Sequence, residues 1–169
     1  LKNGNFIGLP YDFASAQVVL LPVPWEVTVS YRSGTALGPA AILEASYQLD
    51  LHDWDIPNAW ETPIYWQQEA VAIANLNQEI RPLAAAHIEA LEQAQNMDKD
   101  RLKRVNSACV LFNDMVYQHT IKLLRLGKKV GLIGGDHSVP LGYLKALAVL
   151  HPSFGILQID AHCDLRAAY

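Results

Sequence analysis

Short apolar runs bounded by turn residues occur three times along the chain, at residues 18–23, 130–133 and 154–159. None of these runs shows the strict alternation of apolar and polar residues that is typical of a half-exposed strand. Continuous apolar runs of this length are typical of strands that are covered on both faces of a parallel sheet. The pattern therefore predicts three buried parallel strands.

Between these runs, apolar residues recur at helical spacing. Helices are predicted from Gly38, after Pro82, at residues 107–126 and at residues 139–150. Gly127 is suited to end the third helix, and Ser138 is suited to cap the fourth, which has Pro140 in its first turn. Strands that alternate with helices predict an α/β fold, here a three-layer α/β/α sandwich around a mainly parallel sheet.

The length of 169 residues suits one domain. The chain begins without Met and stops at Tyr169, a few residues past a dense group of polar side chains. We therefore expect sequence to be missing at both ends and the sandwich to be incomplete at the C-terminus. Residues 50–66, which are rich in Trp and contain two prolines, are expected to form an irregular excursion packed on the main body.

Composition narrows the class of partner. The chain is 51% hydrophobic and 18% charged with a formal net charge of -4, and it has no Lys/Arg-rich run and no apolar stretch of roughly 20 residues. These features argue against a nucleic-acid or membrane partner and favour a small molecule. Two cysteines do not make a disulfide framework, and no signal peptide is visible, so we expect a cytoplasmic location.

Polar side chains follow two of the predicted strands. His137 comes after the second strand, and Asp160, His162 and Asp164 come directly after the third. A β-α-β unit makes these strands parallel, so their carboxyl ends share the sheet edge at which α/β proteins bind ligands. If the backbone stays extended past residue 159, Asp160, His162 and Asp164 point to one side, and Cys163 points to the other as a packing residue.

Each of these residues alone has an ordinary explanation, because an Asp often caps a turn and a His often makes local hydrogen bonds. Together at one edge they favour a metal site, and carboxylate with imidazole suits Mn, Fe, Co, Ni or Zn better than Mg or Ca. If two divalent ions bind, their four positive charges meet only Asp160 and Asp164. Further carboxylates are then expected from residues outside this sequence.

A second run, Asp-Leu-His-Asp-Trp-Asp at residues 50–55, has the same residue types. It follows no apolar strand, and no second group of ligand-type residues converges on it. A solvated loop is therefore expected there.

Two motifs resemble those of a known family. Residues 134–138, Gly-Gly-Asp-His-Ser, and residues 160–166, Asp-Ala-His-Cys-Asp-Leu-Arg, resemble the first two metal motifs of the ureohydrolases, the family of arginase, agmatinase and formiminoglutamase. Residues 24–34 and 38–42 are similar to the segment after the first strand in agmatinase-like members. Residues 1–169 are therefore interpreted as the N-terminal portion of a single ureohydrolase domain with the arginase-like fold.

Carried over by position, the resemblance implies that His137 and Asp164 bind one metal ion, that His162 binds a second, and that Asp160 bridges the two. Family members usually use manganese, and nickel is used by some relatives that act on guanidine. Asp136 is expected to orient the neighbouring ligand. The resemblance thus implies a hydrolase in which two ions activate a water molecule.

The same resemblance implies release of urea from a small cationic guanidino substrate. Agmatine is expected because the Ser-Tyr-Arg loop at residues 30–32 looks agmatinase-like, and guanidine, guanidinobutyrate, formiminoglutamate and arginine are the alternatives. Leu43 stands where many relatives carry Arg. The family commonly forms trimers or hexamers, so a homo-oligomer is expected.

The third metal motif, the proton-shuttling His and the guanidinium-binding acid of the family are absent from this sequence and are expected beyond Tyr169. We therefore expect the 169 residues by themselves to be inactive and to bind metal weakly. The alternative of a different class is a non-catalytic scaffold subunit. Two further aspartates after another apolar strand in the complete gene would favour the enzyme.

Overall fold

The structure is a computed structural model that describes residues 2–164. These residues form three parallel strands and four α-helices, joined by turns and loops. The strands are β1 (Val18–Val23), β2 (Ile64–Trp66) and β3 (Lys129–Gly134). The helices are α1 (Gly38–Ser46), α2 (Val71–Glu92), α3 (Lys99–Arg125) and α4 (Pro140–Leu150). Short 3-10 turns lie at Phe6–Gly8, Thr35–Leu37 and Ala59–Glu61.

The sheet has the order β2-β1-β3, and β1 pairs in parallel with both neighbours. Its register with β3 runs from Val18 opposite Lys129 to Val23 opposite Gly134, so the two strands end at the same level. The α/β class with a parallel sheet is therefore confirmed, and β1 and β3 are the first two strands that the apolar runs predicted.

The core lies between β1 and two long helices. Val19, Leu21 and Val23 are at most 2% exposed, and they belong to one cluster with the apolar faces of α2 and α3. Those faces contribute Ile73, Ile80 and Ala84 from α2, and Val105, Ala108, Phe112, Val116 and Leu123 from α3. The loops that follow β1 and β3 therefore start from strands that are fixed by a continuous apolar core.

The C-terminus of α3 is the one that the sequence predicts. Gly127 has a φ of 74°, and its N–H donates to the carbonyl of Leu124 while the N–H of Lys128 donates to that of Leu123. Glycine adopts this left-handed conformation without steric cost and so satisfies the last carbonyls of the helix. The helix begins earlier than predicted, at Lys99, because the side chain of Asp98 accepts hydrogen bonds from the first-turn N–H groups.

The predicted helix after Pro82 is present, but its start is wrong, because α2 begins at Val71 and contains Pro82 in its interior. A proline costs an internal hydrogen bond, which on local grounds favours a helix boundary. Here buried residues on both sides of the proline, Ile73, Ile80 and Ala84, pack against the core. Tertiary burial therefore outweighs the local preference.

The prediction of a third strand at residues 154–159 is also wrong. This segment forms no regular structure, and Ile156, Leu157 and Ile159 are 66%, 87% and 92% exposed. A buried strand needs a hydrogen-bonding neighbour and cover on its faces. Within residues 2–164 no strand pairs with this segment, so its apolar composition does not by itself form one.

Within the region predicted to be irregular, residues 64–66 form the short edge strand β2 beside β1. The rest of residues 50–66 is irregular, as predicted. Residues 50–58 are all exposed, with Trp54 at 92%, so the prediction that this segment packs on the main body is wrong for them. In the described part of the chain, no helix combines the length and the apolar character that crossing a membrane requires.

Candidate metal centre

The loop after β3 and the segment after α4 bring three polar side chains together. His137, Asp160 and Asp164 each offer one ligand atom, and these atoms lie within 4.8 Å of one another. His137 Nδ1 is 3.1 Å from Asp164 Oδ2 and 3.8 Å from Asp160 Oδ2. All three residues are exposed, so the group is open to solvent and to a ligand.

His162, the fourth residue predicted to bind metal, lies beside this group. Its Nδ1 is 3.3 Å from Asp160 Oδ1, and its backbone N–H donates to the same oxygen at 2.8 Å. The two oxygens of Asp160 therefore face different histidines, since Oδ2 faces His137 and Oδ1 faces His162. Donation from the His162 N–H lowers the pKa of the Asp160 carboxyl below its ordinary value, because the hydrogen bond favours the charged form.

The expectation of an extended backbone past residue 159 is wrong. The chain bends at residues 161–162, and Asp164 has a φ of 50°. The hydrogen bond from the His162 N–H to the Asp160 side chain is a local turn that competes with extended structure. Alternation along a strand therefore does not bring these side chains together; a folded turn does.

A glutamine side chain stabilises this turn. Gln158 Nε2 donates to the carbonyl of His162 and to Asp164 Oδ2, each at 3.2 Å. Cys163, which was predicted to be a packing residue, is an exposed free thiol. The whole segment from residue 151 to residue 164 is exposed, so no other part of the described chain covers this side chain.

Asp136 connects the loop that carries His137 to the loop after β1. Its Oδ2 accepts from the N–H and the hydroxyl of Thr28 at 3.0 and 2.8 Å. Its Oδ1 accepts from the N–H and the hydroxyl of Ser138 at 3.0 and 2.5 Å. Ser138 therefore donates to Asp136, and it does not cap α4 as predicted, because α4 has no side-chain cap hydrogen bond.

The same loop rests on the core through a glycine. A Cβ added at Gly135 would lie 2.0 Å from the carbonyl oxygen of Trp25, which also accepts from the N–H of Asp136 at 2.8 Å. The Trp25 side chain is fully buried and stacks on Phe112 with a centroid distance of 4.0 Å. The backbone before His137 therefore packs directly against the backbone of the buried Trp25, which fixes its position.

Replacing Asp136 with Asn should weaken this connection. An amide has one acceptor oxygen, so its NH₂ group would face one of the two pairs of donors and leave them unsatisfied. We expect the free energy of unfolding to fall by about 1–3 kcal/mol and the affinity for Mn²⁺ to fall by roughly 10- to 100-fold, measured by thermal unfolding and by metal titration of the complete protein. Asp114→Asn is the control, because within residues 2–164 that exposed carboxylate accepts a side-chain hydrogen bond from Gln118 alone; equal metal affinity in both variants would contradict the role of Asp136.

Two residues of α2 hold the loop after β1 beside the site and were not predicted from the sequence. Asn77 accepts from the N–H of Glu26, and Arg81 donates to carbonyls of the loop after β1. Asn77 lies in the buried stripe of α2, four residues from Ile73. A polar residue in an apolar stripe is a signal of a buried hydrogen bond, but it does not tell which segment provides the partner.

The run at residues 50–55 behaves as the loop that the sequence predicts. Asp53 Oδ1 accepts from the N–H groups of Asp55 and Ile56, and these bonds lower the pKa of Asp53. Its carboxylate is therefore used within a local turn.

The chemistry of the donor set fits a divalent metal ion. Two carboxylates and an imidazole converge with free access, and mixed oxygen and nitrogen ligands suit ions from Mn to Zn rather than Mg or Ca. Two such ions would carry four positive charges against the two carboxylates present, so the described residues provide only part of a binuclear ligand set.

The chain is similar in sequence to known proteins over most of its length. The sequence profile of the arginase family matches residues 16–169. The chain is 29% identical over 164 residues to an agmatinase of Bacillus anthracis, a match that covers 97% of this chain and 46% of that protein. It is also similar to N(1)-aminopropylagmatine ureohydrolases of Synechocystis sp. (30% identical over 159 residues) and Thermus thermophilus (31% over 156 residues), each match covering 92% of this chain and 42% of the relative. The chain thus spans less than half the length of the relatives it matches.

Proposed function

The chain belongs to the arginase family, and from that premise we propose that the complete protein hydrolyses agmatine to urea and an amine at a metal centre built partly from this chain. The observation that carries the proposal is the convergence of His137, Asp160 and Asp164 within 4.8 Å. His137 lies in the loop directly after β3, so the group is at the carboxyl edge of the sheet, where α/β folds bind their ligands.

We propose that His137 and Asp164 hold one ion, that His162 holds the second, and that Asp160 contributes to both. The arrangement of Asp160 supports this assignment, because its Oδ2 faces His137 and its Oδ1 faces His162. Manganese is the proposed metal, with nickel as the alternative. Two bound divalent ions would supply a water of lowered pKa as the nucleophile.

The residues of this chain have a second role in the proposal, namely attraction of a cation. Asp160 and Asp164 are exposed carboxylates at the same opening, and negative potential raises the local concentration of a positively charged guanidino compound. The four positive charges of two divalent ions exceed the two negative charges of Asp160 and Asp164. We propose that further carboxylates come from parts of the protein outside these 169 residues. The chain by itself is accordingly proposed to be inactive.

A urea-release assay on the complete, metal-loaded protein tests the proposal. Agmatine, N(1)-aminopropylagmatine, guanidinobutyrate, arginine and guanidine should be compared at equal concentration. We expect the highest kcat/KM for agmatine, and one about tenfold or more above those for guanidinobutyrate and guanidine, because a site that pairs with a substrate amine discriminates strongly against analogues that lack it. Urea release from none of these compounds would refute the ureohydrolase activity and favour the scaffold alternative.

A second candidate substrate has its own support. Two of the relatives that are 30–31% identical bear the name N(1)-aminopropylagmatine ureohydrolase, so a kcat/KM that is highest for this longer amine would assign the protein to that activity.

Guanidine stays an alternative because residues 41–51 resemble agmatinase-like chains of which some act on it. The cytoplasmic location and the trimeric or hexameric state stay predictions.

A further inference from the structure

The guanidinium of Arg81, in the middle of α2, is bound to the loop that follows β1. Its Nη1 donates to the carbonyls of Val27 and Val29 at 3.2 and 2.6 Å, and its Nη2 donates to the hydroxyl of Ser33 at 3.2 Å. Arg81 is half-buried, and no carboxylate among residues 2–164 forms a salt bridge with it. The described hydrogen bonds of its guanidinium therefore all go to one loop.

This loop is also held on its other side by a carboxylate. Glu26 Oε2 accepts from the N–H groups of Gly34 and Ala36 at 2.6 and 3.2 Å, and the N–H of Glu26 donates to Asn77 of α2 at 2.8 Å. Residues 27–33 contain no helix or strand. Side chains, rather than a backbone ladder, therefore determine the shape of the loop.

The two carbonyls that Arg81 holds flank the residue that contacts Asp136. Thr28, between Val27 and Val29, donates to Asp136 Oδ2 through both its N–H and its hydroxyl. Asp136 immediately precedes His137 in the chain. A continuous series of hydrogen bonds thus leads from α2, through the loop, to the backbone of a proposed metal ligand.

We propose that Arg81 is a positioning residue for the metal centre, acting through residues 27–33 and Asp136 on His137. The planar guanidinium is suited to this task because its fixed fork of donors binds two carbonyls and a hydroxyl at once, which a lysine ammonium on a flexible stem does less well. The proposal rests on the proposed function only in assigning His137 as a metal ligand. It adds a residue of α2 that lies outside both metal motifs.

Limited proteolysis of the complete protein measures the first step of this coupling. Arg32 is an exposed trypsin site inside the loop, next to Tyr31, which is 86% exposed. In Arg81→Met we expect cleavage between Arg32 and Ser33 to accelerate about tenfold, because local opening of the loop is no longer opposed by three hydrogen bonds. The cleavage rate of Arg81→Lys should lie between those of the wild type and Arg81→Met, since lysine keeps the positive charge but lacks the planar set of donors.

Titration with Mn²⁺ alone measures the second step. We expect Arg81→Met to lower the affinity by roughly 10- to 100-fold, as is typical when a residue that orients a ligand is lost. The matched control is Arg104→Met, which removes an exposed arginine of α3 whose partner is Glu79; its loop cleavage and metal affinity should equal those of the wild type. Thr28→Val removes the hydroxyl that donates to Asp136 and keeps the backbone N–H bond, so it weakens the series one step later and should lower metal affinity, by less than Arg81→Met, even if that variant fails to fold.

Wild-type metal affinity in either Arg81→Met or Thr28→Val would overturn the proposal, whatever happens to loop cleavage. The failure of the proposed function is seen separately, in the wild type. A wild-type protein that binds Mn²⁺ and releases no urea from any guanidino compound refutes the activity and leaves the coupling intact. A wild-type protein that binds no divalent metal refutes both.

Discussion

Asp160→Asn in the complete protein should abolish binding of both metal ions and lower urea release by about a thousandfold, because a divalent centre contributes several kcal/mol to such hydrolysis. Asparagine keeps the shape of the side chain but removes the negative charge and one of the two acceptor oxygens. Those oxygens are the atoms that face His137 and His162. The loss should therefore reach both halves of the site.

Metal content by elemental analysis and urea release with agmatine measure this effect. Asp53→Asn is the control, because Asp53 also accepts backbone N–H bonds in a local turn but belongs to the run without a converging partner. His162→Ala should remove one ion and most activity while leaving the fold intact. Two equivalents of metal and wild-type turnover in Asp160→Asn would show that this carboxylate is not a ligand.

Gly135→Ala should destabilise the complete protein by about 3 kcal/mol, at the upper end of what overpacking costs. The added methyl would lie 2.0 Å from the carbonyl oxygen of Trp25 and 2.9 Å from its N. These are backbone atoms, and Trp25 is itself fixed by burial and by its stack on Phe112. The loop that carries His137 must therefore move away, and metal affinity should fall along with stability.

Gly155→Ala provides the matched control, since a Cβ there meets nothing within 4 Å. Its free energy of unfolding should stay within about 0.5 kcal/mol of the wild type, measured from thermal unfolding in the same buffer. If Gly135→Ala unfolds at the wild-type temperature, the backbone of residues 135–137 does not rest on Trp25 as described.

The sequence predicted that the residues of the candidate site lie together, and the cause that it gave for their proximity is wrong. His137, Asp160 and Asp164 do lie together, but the expected cause was a third strand with alternating side chains. The observed cause is a turn in which Asp160 accepts from the His162 N–H. A sequence pattern identifies residues that share an edge of the fold, and it does not distinguish between two local backbones that both bring them there.

The sequence by itself determined the features that depend on neighbours within a few residues: the apolar runs of β1 and β3, the glycine that ends α3 and the two motifs with their ligand-type side chains. Tertiary structure alone decided the features that join distant segments. Thr28 and Asp136 are 108 residues apart in sequence, and Arg81 donates to the carbonyl of Val29, from which it is separated by 52 residues. A hydrogen bond between such residues leaves no periodicity or spacing in the chain, because only packing of α2 and the sheet brings the donor and acceptor together. Residues 154–159 show the converse, since an apolar run becomes a buried strand only where another strand pairs with it.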